Sequence, residues 1–145
     1  MPPILTVDEV REFLSDYAAN NHLLDGEEFS DNFIKLCITL GVDAYNTVPP
    51  MSVTTVDMFP SKIILLWGTM WQMFEGKAML FARNTLSYSD GGIQIPVEEK
   101  CDMYRGIASD CQNMFMTQVK ALKINLNMES GWGYVSSDQA QFPYW

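Results

Sequence analysis

Apolar residues recur at three- and four-residue spacing at the start of the chain, which is typical of an amphipathic helix. Thr6 and Glu9 stand at its start as a Thr-x-x-Glu capping box, in which each side chain binds a backbone N–H of the first turn. We expect this helix to end in the polar segment 20–22. The residues of its apolar stripe are Val7, Val10, Leu14, Tyr17 and Ala18.

A second amphipathic segment runs from Ser30, a favourable N-cap residue, to Asn46. Pro49 and Pro50 end it. Residues 49–59 have β-branched side chains and no helical stripe, so we expect an extended connection or an edge strand. The predicted inner face of the second helix consists of Phe33, Ile34, Cys37, Ile38, Gly41, Ala44 and Tyr45.

The third predicted helix begins at Pro60 or Ser61, extends to about Leu86, and is apolar almost all round from Ile63 to Phe74. A helix without a polar face must be covered on several sides. We expect the first two helices to cover part of it and the last helix or another subunit to cover the rest. The stretch 63–81 is nearly long enough to cross a membrane, but it contains two charges and two further polar or small breaks, which favours a buried helix.

A short hairpin is predicted between the third and fourth helices, because Asp90, Gly91 and Gly92 lie between the alternating apolar pairs Leu86/Tyr88 and Ile93/Ile95. A phosphate-binding loop would need a following Lys-Ser or Lys-Thr pair, which the chain lacks here. The residues expected to project are Tyr88, Asp90, Gly91, Gly92 and Ile93.

A long fourth helix is predicted from Val97 to about Met128, where Gly131 and Gly133 then end it. At the usual helical rise it would be roughly 45 Å long. Few domains of this length need such a rod, so its far end is expected to contact something outside the domain. Its apolar stripe comprises Val97, Cys101, Tyr104, Ala108, Cys111, Phe115, Val119, Leu122 and Leu126.

The last segment is rich in aromatic residues, while its Gly, Ser and Pro residues disfavour regular structure. We therefore predict a mainly α fold: residues 1–130 form a four-helix domain with a small β-hairpin between helices 3 and 4, and residues 131–145 form an extended C-terminal arm. Aromatic anchors are typical of docking sites, although the arm can equally fold back over its own domain. The proposed docking residues are Trp132, Tyr134, Phe142, Pro143, Tyr144 and Trp145.

Charge is distributed unevenly along the chain. The net charge is −9, and residues 1–60 carry ten acids against Arg11 and Lys35. Nucleic-acid binding needs clustered basic residues, so direct DNA or RNA binding is not expected. An acidic wall would nevertheless allow DNA to pass without binding it.

The residues that usually carry chemistry are scarce. The chain has one histidine, His22, read as a solvated loop residue, and three cysteines with no Cys-x-x-Cys pair, so a zinc site is excluded. Cys101 and Cys111, ten apart in one helix, lie about 15 Å apart, too far for a disulfide. No P-loop, dinucleotide fingerprint or nucleophile elbow is present. The acid pairs Glu27/Glu28 and Glu98/Glu99 are read as solvated or helix-start acids, although two carboxylates converging on one pocket remain an alternative. We predict no catalysis, cofactor or metal.

The order of elements resembles the head-to-tail adaptor (head–tail connector) proteins of tailed bacteriophages. The resemblance lies in the capped opening LTVDEVREFL, the segment SDNFIKLCITLGVDAYN, the insertion around RNTLSYSDGGIQIP and the aromatic end FPYW. It covers the whole chain in layout, although the third helix and the tail are more aromatic than in the shorter adaptors.

The resemblance implies a virion structural protein of the phage neck. Subunits of such a family form a homo-oligomeric ring, here of about twelve copies. The ring binds the portal protein through the arm, joins a downstream neck or tail protein, and lines a passage that DNA crosses without specific binding. Since the segment MPPILTVDEV lacks the features of a secretory signal and no membrane span is expected, assembly in the host cytoplasm follows.

Three other functions remain open. The chain can be another neck or tail subunit, of the head-closure or tail-terminator type. It can be a small acidic helical module that binds a basic protein. It can also be a helical bundle with a small-molecule pocket near Trp67 and Trp71.

Overall fold

A computed structural model describes residues 4–21, 26–84, 89–90, 93–94 and 98–132 of the 145-residue chain. This part of the chain is mainly helical, with four α-helices: α1 (Val7–Leu14), α2 (Asp31–Thr47), α3 (Lys62–Asn84) and α4 (Glu98–Trp132). A 3-10 turn over Val56–Met58 lies between α2 and α3. Two strands of two residues each, β1 (Ser89–Asp90) and β2 (Ile93–Gln94), lie between α3 and α4.

The three long helices pack in alternating directions. Phe33 near the start of α2 lies against Gly76 late in α3, while Gly41 contacts Gly68, so α2 and α3 are antiparallel. The Cys101 thiol donates a hydrogen bond to the Ala78 carbonyl at 3.4 Å, which places the start of α4 beside the end of α3. The bundle therefore runs up, down and up, with α3 in the middle.

The apolar helix α3 is covered by its own chain. From Ile64 to Ala78 every residue is buried or half-buried. The sequence left open whether α4 or another subunit would cover this helix, and the structure assigns that role to α4. This part of α3 therefore needs no other subunit to cover it.

The helix ends follow the predicted caps at two places and depart from them at a third. The capping box of Thr6 and Glu9 is confirmed, as is Ser30 as the N-cap of α2. The first helix, however, ends at Leu14 rather than continuing through Tyr17 and Ala18. Ser15 takes a left-handed conformation with φ of 52°, and its N–H donates to the carbonyls of Arg11 and Glu12.

The connection between α2 and α3 is irregular and contains no strand over residues 48–61. The Asn46 side chain takes the place of a strand partner. Its Nδ2 donates to the Thr54 carbonyl at 2.9 Å, and its Oδ1 accepts from the Thr54 N–H at 2.9 Å and the Ser52 hydroxyl at 3.1 Å. The alternative of an edge strand is thus wrong, and the predicted extended connection is interrupted by the 3-10 turn at Val56–Met58.

Between α3 and α4, β1 and β2 pair antiparallel, with Ser89 opposite Gln94 and Asp90 opposite Ile93. This ladder is only two residues long, shorter than the alternating pattern indicates. The predicted turn residues Gly91 and Gly92 and the flanking Tyr88 lie outside the described residues.

Helix α4 is longer than the sequence indicates. It continues through Gly131 to Trp132, four residues beyond the predicted helix end near Met128. One glycine in a helix costs only about 1 kcal/mol relative to alanine, which is too little to stop an established helix. Within the part of the chain that the structure describes, no helix combines the length and apolar character required to cross a membrane.

Candidate interaction surfaces

A buried arginine organises the N-terminal end of the bundle. Arg11 on α1 is only 5% exposed. Its guanidinium donates to the carbonyls of Asp16 and Phe29 at 3.2 and 3.0 Å and pairs with three carboxylates. The carboxylate contacts are Asp16 at 3.3 Å, Glu27 at 3.0 Å and Asp31 at 2.5 Å. This Arg11 cluster joins α1, the following loop and the start of α2.

Asp16 is the most buried acid of the cluster. Its carboxylate accepts hydrogen bonds from the N–H groups of Glu28 and Phe29, at 2.7 and 3.0 Å, and from the Asn21 amide at 2.7 Å. Burial raises the pKa of Asp16, but these hydrogen bonds and the Arg11 charge together leave that pKa below its usual value. The carboxylate thus contributes stability above its unfolded pKa, and that contribution is lost as pH falls through the folded pKa.

Glu28 has a structural partner, so its prediction as a solvated loop acid is wrong. The Tyr104 hydroxyl on α4 donates to Glu28 Oε1 at 2.5 Å. Lys77 on α3 donates to the Glu28 carbonyl at 2.8 Å and lies 3.8 Å from its carboxylate. Burial, followed by the hydrogen bond to Glu28, raises the pKa of Tyr104. Glu28 consequently ties the loop to both α3 and α4.

A groove of about 660 Å³ lies beside this contact. Its walls carry both signs of charge, and its floor is apolar. Lys77 is held by Glu28 and sits 4.9 Å from the centre of the Phe29 ring, so its charge already has partners inside the protein. The lining residues are Glu27, Glu28, Phe29, Ser30, Phe33, Gly76, Lys77, Leu80 and Arg83.

Lys123 fastens α4 to the end of α2 at the opposite end of the bundle. It is 3% exposed, and its ammonium donates to the Val48 carbonyl, to the Pro50 carbonyl at 2.9 Å and to the Ser52 hydroxyl at 3.3 Å. The ammonium also lies 4.3 Å from the centre of the Tyr45 ring. All three acceptors are neutral oxygens, and burial lowers the pKa of Lys123.

Replacing Lys123 with methionine is expected to lower the free energy of unfolding by about 1–3 kcal/mol, because two backbone carbonyls lose a buried donor. Urea denaturation followed by circular dichroism measures this change. The control is Lys120→Met, one turn earlier and exposed, which should change stability by less than about 0.5 kcal/mol. Equal effects of the two substitutions would show that the buried hydrogen bonds of Lys123 contribute nothing specific.

Beyond Lys123, α4 leaves the bundle. Residues 124–128 are all exposed, among them Ile124, Leu126 and Met128. Met51 and Val53 lie on either side of Ser52, which accepts a hydrogen bond from Lys123, and both are largely exposed. We call this apolar surface the distal end and define it by Met51, Val53, Ile124, Leu126 and Met128. The far part of the fourth helix is therefore exposed, and the expectation that it contacts something outside the domain stays a prediction.

A second apolar stripe runs along α4 beside the one that faces the core. Its members follow each other at alternating spacings of four and three residues, the pattern of helices that pack side by side. Seven of the eight residues are exposed, and Ile107 is half-buried. Large apolar side chains remain about half in solvent: Met103 at 54%, Met114 at 46%, Ile124 at 58% and Met128 at 55%. The α4 stripe consists of Met103, Ile107, Asp110, Met114, Thr117, Ala121, Ile124 and Met128.

The cysteine side chains are unsuited to nucleophilic chemistry. Cys37, Cys101 and Cys111 are free and buried. Burial raises the pKa of the Cys37 thiol to about 11 and also raises that of Cys111, which keeps both protonated near neutral pH. Among the residues that the structure describes, no group of three or more His, Cys, Asp or Glu side chains is placed to hold a metal ion.

Most residues predicted from sequence to dock lie outside the described residues. Trp132 is the last residue of α4, and Asp90 and Ile93 are placed only as strand backbone. Trp67 and Trp71, the proposed pocket residues, instead pack half-buried against Phe13 and Phe115, with ring centres 6.4 and 6.0 Å apart. The remaining predicted residues, which the structure does not describe, are Tyr88, Gly91, Gly92, Tyr134, Phe142, Pro143, Tyr144 and Trp145.

Sequence reasoning missed Arg11 and Lys123, although both left a signal. Arg11 lies one turn after Val7 and one turn before Leu14, on the apolar stripe of α1. Lys123 lies one turn after Val119 on the core side of α4. A charge on a core stripe indicates a buried ionic or hydrogen-bonded group.

No family model, curated protein or solved structure matches this chain.

Proposed function

We propose that this chain is a structural subunit that assembles with copies of itself and with neighbouring proteins in the neck of a tailed bacteriophage. In this role a ring of subunits joins the portal to the tail and surrounds the DNA passage. The observation that carries the proposal is the distal end, where α4 extends past its own bundle with exposed apolar side chains.

The distal end has the composition of a contact surface. Two methionines, two β-branched residues and a leucine lie on it without a charge among them. Methionine is enriched in protein interfaces, and exposed apolar patches mark interaction sites. Lys123 holds both parts of this surface together, since it binds the 48–52 segment from α4.

The arm follows α4 in the sequence. Residues 133–145 follow directly on α4 and include Tyr134, Phe142, Tyr144 and Trp145. A helix that extends past its bundle and is followed in the sequence by aromatic residues suits insertion between the subunits of another ring. Repetition around such a ring would raise the overall affinity without further contacts per subunit.

The charge distribution supports the same proposal. Ten of the eighteen acids lie in residues 1–60, whereas α4 carries five acids and four bases. Contacts through α4 and the arm therefore avoid the acid-rich part of the chain. That part is then free to face a DNA channel, where like charges prevent binding.

The proposal predicts that docking depends on the aromatic residues of the arm. In tailed particles assembled from the genome that carries this chain, changing Phe142, Tyr144 and Trp145 to serine should remove the subunit from the neck, because the hot-spot anchors are lost. Electron microscopy of the particles and mass spectrometry of their protein content measure this outcome.

The matched control changes polar residues of the same arm, Ser136, Ser137, Gln139 and Gln141, to alanine, which should leave docking unchanged. Circular dichroism checks that both variants stay helical. Should the serine variant unfold, Leu126→Asp at the distal end tests the same docking through an exposed position. Full occupancy of the neck by the serine variant or by Leu126→Asp, or a one-to-one complex with a basic protein in place of a ring, would contradict the proposal.

A further inference from the structure

The two outer pairs of the α4 stripe are identical when the stripe is read in either direction, while its two inner pairs differ. Met103 and Met128 stand at its ends, and Ile107 and Ile124 come next. Asp110 and Ala121 follow, and Met114 and Thr117 lie in the middle. Since all eight lie on one face of a single helix, two copies of α4 placed antiparallel would bring like apolar residues together.

We propose that two copies of this chain pair through the α4 stripe, antiparallel, around a two-fold axis that passes between positions 115 and 116. Met103 then lies opposite Met128 of the second copy, and Ile107 opposite the second copy's Ile124. A contact of this kind uses the same patch on both copies and closes on itself. It forms without a portal and does not rest on the proposed role in a phage neck, although Ile124 and Met128 belong both to the α4 stripe and to the distal end.

Charge complementarity favours a second copy in this orientation. Asp110 is the only charged residue of the stripe, and Lys120 flanks the stripe beside Ala121. Within one helix these two residues are ten positions apart, about 15 Å, so they do not meet. In the antiparallel pair, position 110 lies opposite position 121 of the second copy, which puts Asp110 next to that copy's Lys120. The symmetry makes this contact twice.

The distribution of charge over the rest of the chain also favours pairing through α4. The chain carries −9, but α4 is almost neutral, with five acids and four bases. Two copies that meet through α4 therefore keep their acid-rich residues 1–60 apart. Pairing through α1 or α2 would bring those residues together and would cost electrostatic energy.

The size of the stripe limits how tight the pair can be. From position 103 to position 128 a helix rises about 38 Å, and one helix face is about 10 Å wide. The contact is then on the order of 400 Å² for each copy, roughly half that of a standard stable interface. We therefore expect a concentration-dependent dimer with a dissociation constant in the micromolar range.

The test reverses the two charges separately and then together. Wild-type chain, D110K and K120D are compared by sedimentation equilibrium from low micromolar to millimolar concentration. Each single reversal creates two repulsive contacts and should weaken the dimer about tenfold. An equimolar mixture of D110K and K120D has two attractive contacts again, so the mixed pair should recover the wild-type dissociation constant.

Two control reversals carry the same change of charge at exposed positions away from the stripe. Asp43→Lys on α2 and Arg105→Asp on the other side of α4 should leave the dimer unchanged. Circular dichroism verifies that every variant is helical. A wild-type chain that stays monomeric at millimolar concentration, a mixture that does not recover, or a K120D variant as tight as wild type would each overturn the antiparallel pairing. None of these results depends on residues 133–145, so they leave the docking experiment unaffected.

Discussion

Replacing Arg11 with methionine is expected to lower the free energy of unfolding by about 3–5 kcal/mol, the usual effect of removing one partner from a buried ion pair. The guanidinium has three carboxylate partners and two carbonyl partners. Without it, the buried Asp16 carboxylate keeps its backbone N–H donors but loses the only cation that pairs with it among the described residues. Urea denaturation at neutral pH, followed by circular dichroism, measures the change.

Lys62→Met provides the control, because Lys62 of α3 pairs at the surface with Glu9, which lies on α1 like Arg11. Exposed pairs of this type contribute about 0–1 kcal/mol. A double substitution, Arg11→Met with Asp16→Leu, should be less destabilising than the sum of its two single effects, since the two residues share one network. If Arg11→Met lowers the free energy of unfolding no more than Lys62→Met does, the Arg11 cluster does not fix the loop between α1 and α2.

The sequence predicts helices well where local signals act alone. The Thr6–Glu9 capping box and the Ser30 N-cap mark their helix starts to the residue, because these caps depend on side chains within one turn. Cys37 was predicted to be buried from its stripe alone, and it is 1% exposed. The long fourth helix was also predicted, although its last turn was not.

Sequence patterns do not predict the local structure where tertiary contacts determine it. The first helix stops at Leu14 because Asp16 is recruited to bind the N–H groups of Glu28 and Phe29, twelve and thirteen positions ahead. Such a contact leaves no periodic trace. The same holds for Asn46, whose amide organises the 52–54 segment that the sequence left open as a strand.

Of the two interaction surfaces, the sequence indicates one and does not reveal the other. The exposed end of α4 follows from its length, which the hydrophobic spacing indicates. The α4 stripe was not recognised, because a second apolar stripe cannot be distinguished from a core stripe until the burial of each side is known. Methionine at Met103, Met114 and Met128 is compatible with either interpretation. The burial of each side chain therefore distinguishes the stripe of α4 that packs in the core from the stripe that is available to a partner.

The centre of the bundle depends on one aromatic ring placed over two glycines. Phe115 of α4 is fully buried. A Cβ at Gly68 would lie 2.8 Å from Phe115 Cε2, and a Cβ at Gly41 would lie 3.3 Å from the backbone of Gly68. The absence of side chains at both glycines thus allows α2, α3 and the ring to pack in successive layers. Trp71 lies next to the ring, with the two ring centres 6.0 Å apart.

Phe115→Ala is expected to lower the free energy of unfolding by about 3–5 kcal/mol, because it leaves a cavity where α3 and α4 meet. Gly68→Ala should also destabilise, by about 1–2 kcal/mol. The clash with the ring, of the order of 1–3 kcal/mol, exceeds the gain of up to about 1 kcal/mol in helix propensity. Urea denaturation of both variants measures these losses.

Combining Gly68→Ala with Phe115→Leu distinguishes this packing from a general sensitivity of the core. Leucine is smaller than phenylalanine and leaves room for the new methyl group, so the double variant should be more stable than the sum of its single effects implies. Gly106→Ala is the control, because Gly106 is exposed on α4 and a Cβ there meets nothing within 4 Å. It should stabilise the protein by up to about 1 kcal/mol. Strict additivity of Gly68→Ala and Phe115→Leu would show that the ring does not pack on Gly68 in solution.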